Sequence, residues 1–310
     1  MSDSAGTLRI GTRGSPLARW QSGWVADRLR AIHPGLAVEL VEVRTQGDRD
    51  RNSPLAEIGG TGLFTKEIQR ALIDGRVDAA VHSLKDLPTQ GVPGLILGAV
   101  PTREDLADAL IAPAHRTLDA LPSGATIGTG SPRRRAQLLN LRPDLRVESI
   151  RGNVETRLGL IGKLDAVVLA VAGLNRLGLE GRITERLEPP RFLPAVGQGA
   201  LGIECRADDS GTARLLAPLD DPRTHRAVEA ERRALAELEG GCIIPLGAWG
   251  RGSQPGRLAL DVAVWDENGG ECLRTADEGP IDEPDLLGIR VAQRLRDLGA
   301  GRLLRPTRGS

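Results

Sequence analysis

Three segments of the chain carry residues whose types and spacing suit chemistry. Residues 81–88 read Val-His-Ser-Leu-Lys-Asp-Leu-Pro, so Lys85 and Asp86 directly follow an apolar run. Residues 131–135 set three consecutive arginines after a Ser-Pro pair. Cys242 stands between two glycines and an apolar run, a loop setting that leaves a sulfur approachable. A carboxylate can transfer protons, guanidiniums can bind anions, and a thiol can form a covalent bond.

The first segment has a twin that lacks its charges. Residues 75–87 read G-R-V-D-A-A-V-H-S-L-K-D-L, and residues 162–174 read G-K-L-D-A-V-V-L-A-V-A-G-L. Where the first copy has the Lys-Asp pair, the second has Ala172-Gly173. A second echo pairs I-G-T-R-G-S-P (10–16) with I-G-T-G-S-P (127–132). The repeats predict two related lobes with one chemical centre.

Both copies of the second echo predict a strand, a glycine turn and a helix. Ser15 and Ser131 are suited to cap the helices, and the prolines after them suit the first helical position. Free amides at such a helix start can bind an anion. The arginines at 133–135 lie where the helix dipole disfavours cations by about 0.3–1 kcal/mol each, so we expect an anion nearby. Simple solvation of the three arginines on an exposed turn remains an alternative.

Alternating strand and helix patterns from residue 8 to about 205 predict α/β lobes with mainly parallel sheets. The polar, glycine-rich stretch 46–62 is typical of a lid. Residues 189–205 are expected to cross back to the first lobe and end in a buried strand. The remainder predicts a small α+β domain, with helices over 221–239 and 283–298 and strands over 243–249, 257–265 and 271–275. Domain 1 is expected over 1–101 and 195–218, domain 2 over 102–194 and domain 3 over 219–310.

Composition excludes several classes of function. The 310 residues are 40% hydrophobic and 26% charged with a net charge of zero, and the apolar runs are too short to span a membrane. The short polar N-terminus and three cysteines without a C-x-x-C pair predict a cytoplasmic protein. Two Phe and no Tyr give little stacking for nucleic acid. Four scattered histidines predict no metal site.

Two motif readings are weaker. Residues 197–202 match G-x-G-x-x-G, but strand-like sequence follows where a dinucleotide fingerprint must open a helix. Cys242 has no histidine nearby in sequence to act as its base, which weakens the hypothesis of a cysteine-dependent hydrolase. The alternative that Cys242 is an inert, small apolar side chain stays open.

Seven segments together resemble the porphobilinogen deaminase (hydroxymethylbilane synthase) family over about residues 8–250, and more weakly to the end. They are I-G-T-R-G-S-P-L-A, G-L-F-T-K-E, H-S-L-K-D-L-P, G-T-G-S-P-R-R-R-A-Q-L, I-R-G-N-V-E-T-R, P-A-V-G-Q-G-A-L-G-I-E-C-R and G-G-C-I-I-P-L-G. The resemblance implies two lobes of the type II periplasmic-binding-protein kind enclosing a cleft, with a small third domain.

The resemblance also implies an activity. Family members join four porphobilinogen units head to tail with loss of ammonia and release a linear tetrapyrrole by hydrolysis. They use a dipyrromethane primer held by a thioether, which the resemblance places on Cys242, and a catalytic carboxylate, which it places on Asp86. A non-catalytic anion-binding protein on the same two lobes is the alternative. We expect a monomer that binds neither nucleic acid nor membrane.

The resemblance assigns two further groups of residues, although their division between primer and substrate is left open. The cofactor group is Ser83, Lys85, Thr129, Ser131, Arg133, Arg134, Gly152 and Asn153. The substrate group is Arg13, Ser15, Phe64, Arg151, Arg157, Arg176 and Gln198. One departure is Thr61, where family members often have lysine; Arg49 or Arg51 is expected to replace that lysine's contact.

Overall fold

A computed structural model describes residues 7–43, 65–238 and 244–304. The chain divides into two compact units, Met1–Arg103 with Ala200–His225 and Glu104–Gly199 with Arg226–Ser310. The predicted lid, 46–62, lies outside the described residues.

The described strands are β1 Leu8–Thr12, β2 Val38–Glu42, β3 Ala79–Ser83, β4 Leu95–Ala99, β5 Asp108–Ile111, β6 Thr126–Gly128, β7 Arg146–Glu148, β8 Ala166–Ala170, β9 Glu185–Leu187, β10 Leu201–Arg206, β11 Leu246–Gln254, β12 Arg257–Trp265 and β13 Cys272–Pro280. The described α-helices are α1 Pro16–Ile32, α2 Lys66–Ile73, α3 Pro132–Leu141, α4 Val154–Leu158, α5 Val171–Arg176, α6 Ser210–Leu216, α7 Pro222–Glu237 and α8 Pro284–Asp297.

Two five-stranded sheets share one arrangement, which confirms the predicted pair of α/β lobes. The first has the order β2-β1-β3-β10-β4, and the second has the order β7-β6-β8-β5-β9. In each sheet the first three strands run parallel, and the fourth runs antiparallel to both of its neighbours. In each sheet four of the five strands therefore run in one direction, as expected, and only the fourth strand is reversed. Hydrophobic periodicity predicts a strand but not its direction, and the fourth strands, β10 and β5, run opposite to their neighbours.

The repeat seen in the sequence is present in the structure. Ser15 accepts a hydrogen bond from the Ala18 backbone N–H, and Ser131 accepts one from the Arg134 backbone N–H. Each following proline occupies the start of its helix, α1 or α3. These local contacts confirm both predicted helix caps.

The third sheet and its helices form the predicted α+β domain. Strands β11, β12 and β13 form an antiparallel meander, and α8 packs on β12 and β13. Helix α7 begins at Pro222, one residue after the predicted start, and its described helical turns end at Glu237. A core of alanine, valine and leucine side chains from α7, α8 and this sheet is buried, because α7 presents Ala227, Ala230 and Ala234 on one face.

Candidate functional site

The carboxyl end of the first sheet gathers several predicted residues around one pocket. Strands β1 and β3 are parallel neighbours, so the segments that follow them leave the same edge. Asp86 lies in a 3-10 turn, Leu84–Asp86, directly after β3, and it is exposed. The pocket is lined by Arg13, Ser15, Leu17, Ala18, Gln21, Thr65, Val81, His82, Ser83 and Asp86. Lys85 is half-buried in the same 3-10 turn.

Sequence reasoning missed Gln21 in this pocket. Its side chain is buried in α1, and Nε2 donates a 2.8 Å hydrogen bond to Ser83 Oγ. The bond ties the helix that begins at Ser15 to the segment that carries Asp86. A single glutamine within a helix gives no sequence signal, because its partner lies 62 residues away in the chain.

Three buried polar side chains, one each from β3, α2 and β10, contact one another beside the pocket strand β3. His82 Nε2 lies 3.0 Å from Glu204 Oε2, and Gln69 Nε2 donates to both oxygens of Glu204 at 3.1 Å. His82 and Glu204 are each 5% exposed. An acidic residue inside the apolar run of β10 was a signal for such a partner, because buried carboxylates need one.

In the second sheet, the residues after β6 occupy the position that Arg13 and Ser15 occupy after β1. Thr129 is buried, and its hydroxyl accepts a 3.3 Å hydrogen bond from the Ser131 backbone N–H. An added Cβ at Gly130 would lie 2.7 Å from the Ile150 carbonyl, so this turn needs glycine. The local geometry holds both hydroxyls beside the start of α3.

The first arginines of α3 are not solvated on an exposed turn. Arg133 is 3% exposed and Arg134 is 5% exposed. Arg133 NH1 lies 2.7 Å from Asp108 Oδ2, and Arg134 NH2 lies 2.7 Å from Asp108 Oδ1. Burial acts to raise the pKa of Asp108, but the charges and hydrogen bonds of the two arginines outweigh it and hold the pKa well below its ordinary value. The solvation alternative is therefore wrong for Arg133 and Arg134.

The segment after β7 forms a tight turn onto α4. Asn153 caps α4, and its Oδ1 accepts hydrogen bonds from the Thr156 backbone N–H at 2.8 Å and hydroxyl at 2.7 Å. Gly152 has a φ of +104°, a conformation that favours glycine. Arg151 and Arg157 are both half-buried on either side of this turn.

Arg176 and Gln198 are buried within the second unit. Arg176 NH2 donates a 2.7 Å hydrogen bond to the Gly199 carbonyl, and burial lowers the pKa of Arg176 to about 10 despite the opposing charge of Glu104. Gln198 is fully buried; its Nε2 donates to the Leu106 carbonyl at 2.8 Å and to Asp108 Oδ1 at 2.9 Å. These hydrogen bonds indicate that Gln198 holds Asp108 and the adjoining backbone in place. Its contact with substrate stays a prediction.

Several predicted residues lie outside the described part of the chain. They are Arg49, Arg51, Thr61, Phe64 and Cys242. The last residue of helix α7, Glu237, precedes Cys242 by five positions in the sequence.

Positive charge exceeds negative charge in the buried cluster of Asp108, Arg133 and Arg134 at the start of α3. Two buried guanidiniums face one buried carboxylate, and Arg133 Nε is buried without a hydrogen-bond partner among the described residues. A buried unpartnered donor is costly, and hydrogen bonds from a guanidinium to an anionic acceptor are strong. The arrangement therefore fits a ligand that carries carboxylate groups. In the described ranges, no three His, Cys, Asp or Glu side chains are grouped to hold a metal ion.

Comparison with known families covers both the lobes and the third domain. Residues 8–214 match the model described as "Porphobilinogen deaminase, dipyromethane cofactor binding domain", and residues 225–297 match "Porphobilinogen deaminase, C-terminal domain". The chain belongs to the porphobilinogen deaminase family. It is a transferase of porphyrin biosynthesis that acts on porphobilinogen and uses a dipyrromethane cofactor.

Curated relatives agree along nearly the whole length. The porphobilinogen deaminase of Syntrophotalea carbinolica is 48% identical over 303 residues, which cover 97% of this chain and 96% of the relative. That of Desulforudis audaxviator is 50% identical over 297 residues, covering 95% and 96%, and that of Stenotrophomonas maltophilia K279a is 51% identical over 303 residues, covering 96% and 99%. Among solved structures, a methionine binding protein matches at 13% identity with a TM-score of 0.45, covering 74% of this chain and 94% of that one. No helix in the described ranges is long and apolar enough to cross a bilayer.

Proposed function

We propose that Asp86 is the catalytic carboxylate of a hydroxymethylbilane synthase reaction. The observation that carries the proposal is the single pocket that Asp86 shares with Arg13, Ser15 and Ser83. Each condensation breaks the C–N bond of a porphobilinogen side chain and releases ammonia. It then forms a C–C bond to a pyrrole carbon, which loses a proton.

Asp86 has two tasks in this reaction. It passes a proton to the departing amine, and it stabilises the cation left on the substrate when ammonia leaves. At ~4 Å and an effective dielectric constant of about 20, the attraction between opposite unit charges is about 4 kcal/mol. If that attraction acts mainly in the transition state, it accelerates the step by roughly a thousandfold. Asp86 is an exposed carboxylate that lines the pocket, so an incoming substrate can reach it.

Substrate recognition falls to cationic and hydroxyl side chains. Arg13 and Ser15 line the Asp86 pocket and hold the acetate and propionate arms of the incoming unit. Arginine suits this role because its fork binds carboxylates with two parallel hydrogen bonds. We assign the same role to Arg151, Arg157 and Arg176, with Phe64 and Gln198 as further contacts.

Dipyrromethane, when bound, supplies the pyrrole carbon to which the first substrate unit is joined. The chain's own residues hold it: the Cys242 thiol forms the covalent link, and cationic, hydroxyl and loop residues bind its carboxylates. The surplus positive charge beside Asp108 and the unpartnered Arg133 Nε support this assignment. The full set is Ser83, Lys85, Thr129, Ser131, Arg133, Arg134, Gly152, Asn153 and Cys242.

Three further assignments complete the proposal. The protein acts as a cytoplasmic monomer. The domain boundaries fall at 1–101 with 195–218, at 102–194 and at 219–310. The sheets support these boundaries, because each described strand belongs to one sheet only and the strands of the second sheet all fall within 108–187.

Porphobilinogen consumption by wild type, Asp86→Asn and Asp282→Asn tests the proposal. Asp282 is an exposed aspartate in a turn before α8 and serves as the matched control. We expect wild-type turnover from the control and a loss of roughly a thousandfold in Asp86→Asn. Undiminished turnover in Asp86→Asn would overturn the role of Asp86. Binding of porphobilinogen by wild type without any consumption would instead favour the anion-binding alternative.

A further inference from the structure

We propose that Asp108 is a positioning residue that aims Arg133 and Arg134 at the cofactor's carboxylates. The inference rests on the proposed function, because it takes these two arginines as cofactor ligands. Asp108 was not among the residues that the sequence singled out. It opens β5, the strand that neighbours both β8 and β9.

The contacts of Asp108 fix both guanidiniums in direction. Arg134 Nε donates to Asp108 Oδ1 at 2.9 Å, and Arg133 NH1 lies 2.7 Å from Oδ2. Each oxygen of the carboxylate therefore faces a different arginine. Arg134 NH1 also donates to the Val168 carbonyl at 3.1 Å, which leaves this side chain little freedom to turn.

Further hydrogen bonds hold the Asp108 carboxylate and the Arg133 side chain in place. Gln198 Nε2 donates to Asp108 Oδ1 at 2.9 Å. Arg133 NH1 donates to the Leu193 carbonyl, and Gln137 forms reciprocal hydrogen bonds with the Leu193 backbone at 2.9 and 2.7 Å. Side chains locked in this way are preorganised, which lowers the cost of binding a charged ligand in one geometry.

Charge balance gives Asp108 a second effect. With two guanidiniums and one carboxylate, the buried group has one surplus positive charge, and its side chains are at most 6% exposed. Arginine does not lose its proton in proteins, so the surplus remains until an anion enters. Without Asp108 the surplus would double, and the two guanidiniums would repel each other and turn apart. Asp108 therefore sets both the direction and the charge that the arginines present.

A matched aspartate elsewhere makes the test specific. Asp78 also lies between two arginines: Arg9 NH2 is 2.8 Å and Arg206 NH2 is 3.3 Å from its Oδ1. Neither arginine belongs to the assigned site, so Asp78→Asn removes a carboxylate that also has two arginine partners, although its side chain is 14% exposed against 0% for Asp108. Apo forms of wild type, Asp108→Asn and Asp78→Asn are incubated with porphobilinogen. Intact mass then gives the fraction that carries cofactor, beside thermal unfolding of each protein.

We expect Asp108→Asn to load cofactor at least tenfold more slowly than wild type, at a temperature where it is folded. Asp78→Asn should be less stable yet load at the wild-type rate. Wild-type loading by Asp108→Asn would overturn the inference, as would equal slowing by Asp78→Asn, since that would trace the effect to stability. If Asp108→Asn does not fold, Asp108→Glu decides: it keeps the charge but shifts the carboxylate, so slower loading supports positioning and wild-type loading contradicts it.

The same experiment separates this inference from the proposed function. Wild type that neither loads cofactor nor consumes porphobilinogen would contradict the proposed function itself. Wild type that does both, beside an Asp108→Asn protein that loads normally, would contradict the positioning role alone.

Discussion

Gln21 Nε2 donates a 2.8 Å hydrogen bond to Ser83 Oγ, which links two motifs that the sequence separates widely. Gln21 belongs to the helix that Ser15 caps, and Ser83 precedes the turn that carries Asp86. The bond fixes the Ser83 hydroxyl beside the proposed catalytic carboxylate.

Gln21 itself lines the pocket with Arg13 and Ser15, the proposed substrate ligands, so replacing it should weaken substrate binding more than folding. A neutral hydrogen bond contributes about 1 kcal/mol, so Gln21→Ala should raise KM for porphobilinogen about fivefold, with kcat nearly unchanged. Steady-state kinetics against Gln293→Ala, an exposed glutamine in α8, provide the comparison. An unchanged KM in Gln21→Ala would show that this hydrogen bond does not hold the substrate pocket in its binding geometry.

Glu231 is a fully buried carboxylate in α7, the helix that leads toward Cys242. It accepts hydrogen bonds from the Gly197 backbone N–H at 2.7 Å and the Gly250 backbone N–H at 2.8 Å. Glu231→Gln turns one acceptor into a donor that faces an N–H. We expect the free energy of unfolding to fall by about 1–3 kcal/mol in urea titrations.

Glu229→Gln on the same helix is the control for that variant. Glu229 forms an ion pair with Arg226 whose side chains are 33% and 46% exposed, so its loss should change the unfolding free energy by less than about 1 kcal/mol. Equal destabilisation by both variants would argue against a specific role for the buried carboxylate.

Gly152 should tolerate no side chain. Its φ is +104°, and an added Cβ would lie 2.7 Å from Thr156 Cγ2, in the first turn of α4. Gly162 has a φ of +99° with open space around it, and Gly181 has open space and no positive φ. In thermal unfolding, Gly152→Ala should be the least stable variant, Gly162→Ala should be intermediate and Gly181→Ala should be the most stable. Gly152→Ala should lose about 1 kcal/mol or more of the free energy of unfolding. A different order would mean that the turn relaxes around the added methyl group.

The Asp78 ion pairs predict a pH dependence of stability. Burial acts to raise the pKa of Asp78, but the hydrogen bonds from Arg9 and Arg206 outweigh it and lower the pKa. A carboxyl group whose pKa is lower in the folded than in the unfolded protein stabilises the fold. This contribution is complete when the pH is above the unfolded pKa of about 4, and it is lost as the pH falls through the folded pKa. Between about pH 5 and 2, wild type should therefore lose stability more steeply than Asp78→Asn. Parallel curves for wild type and Asp78→Asn would contradict the assignment.

The parts of the fold that depend on local sequence were predictable. Ser15 and Ser131 cap their helices as expected, because a cap needs only the next three residues. The reversed direction of β5 and β10 was not predictable, and neither was the pairing of Asp108 with α3. Asp108 lies 26 residues from Arg134 in the chain, and only the folded sheet brings the two together. A lone acid at the head of the apolar run D-A-L-I-A was nevertheless a signal that a buried cation would be needed.

The intact mass of the purified protein beside Cys242→Ser tests the central claim most directly. The account predicts that wild type exceeds its sequence mass by two porphobilinogen units less two molecules of ammonia, and that Cys242→Ser does not. If wild type is unmodified as purified, incubation with porphobilinogen should produce the same gain in wild type alone. No gain after incubation, or an equal gain in Cys242→Ser, would contradict a cofactor carried on this cysteine.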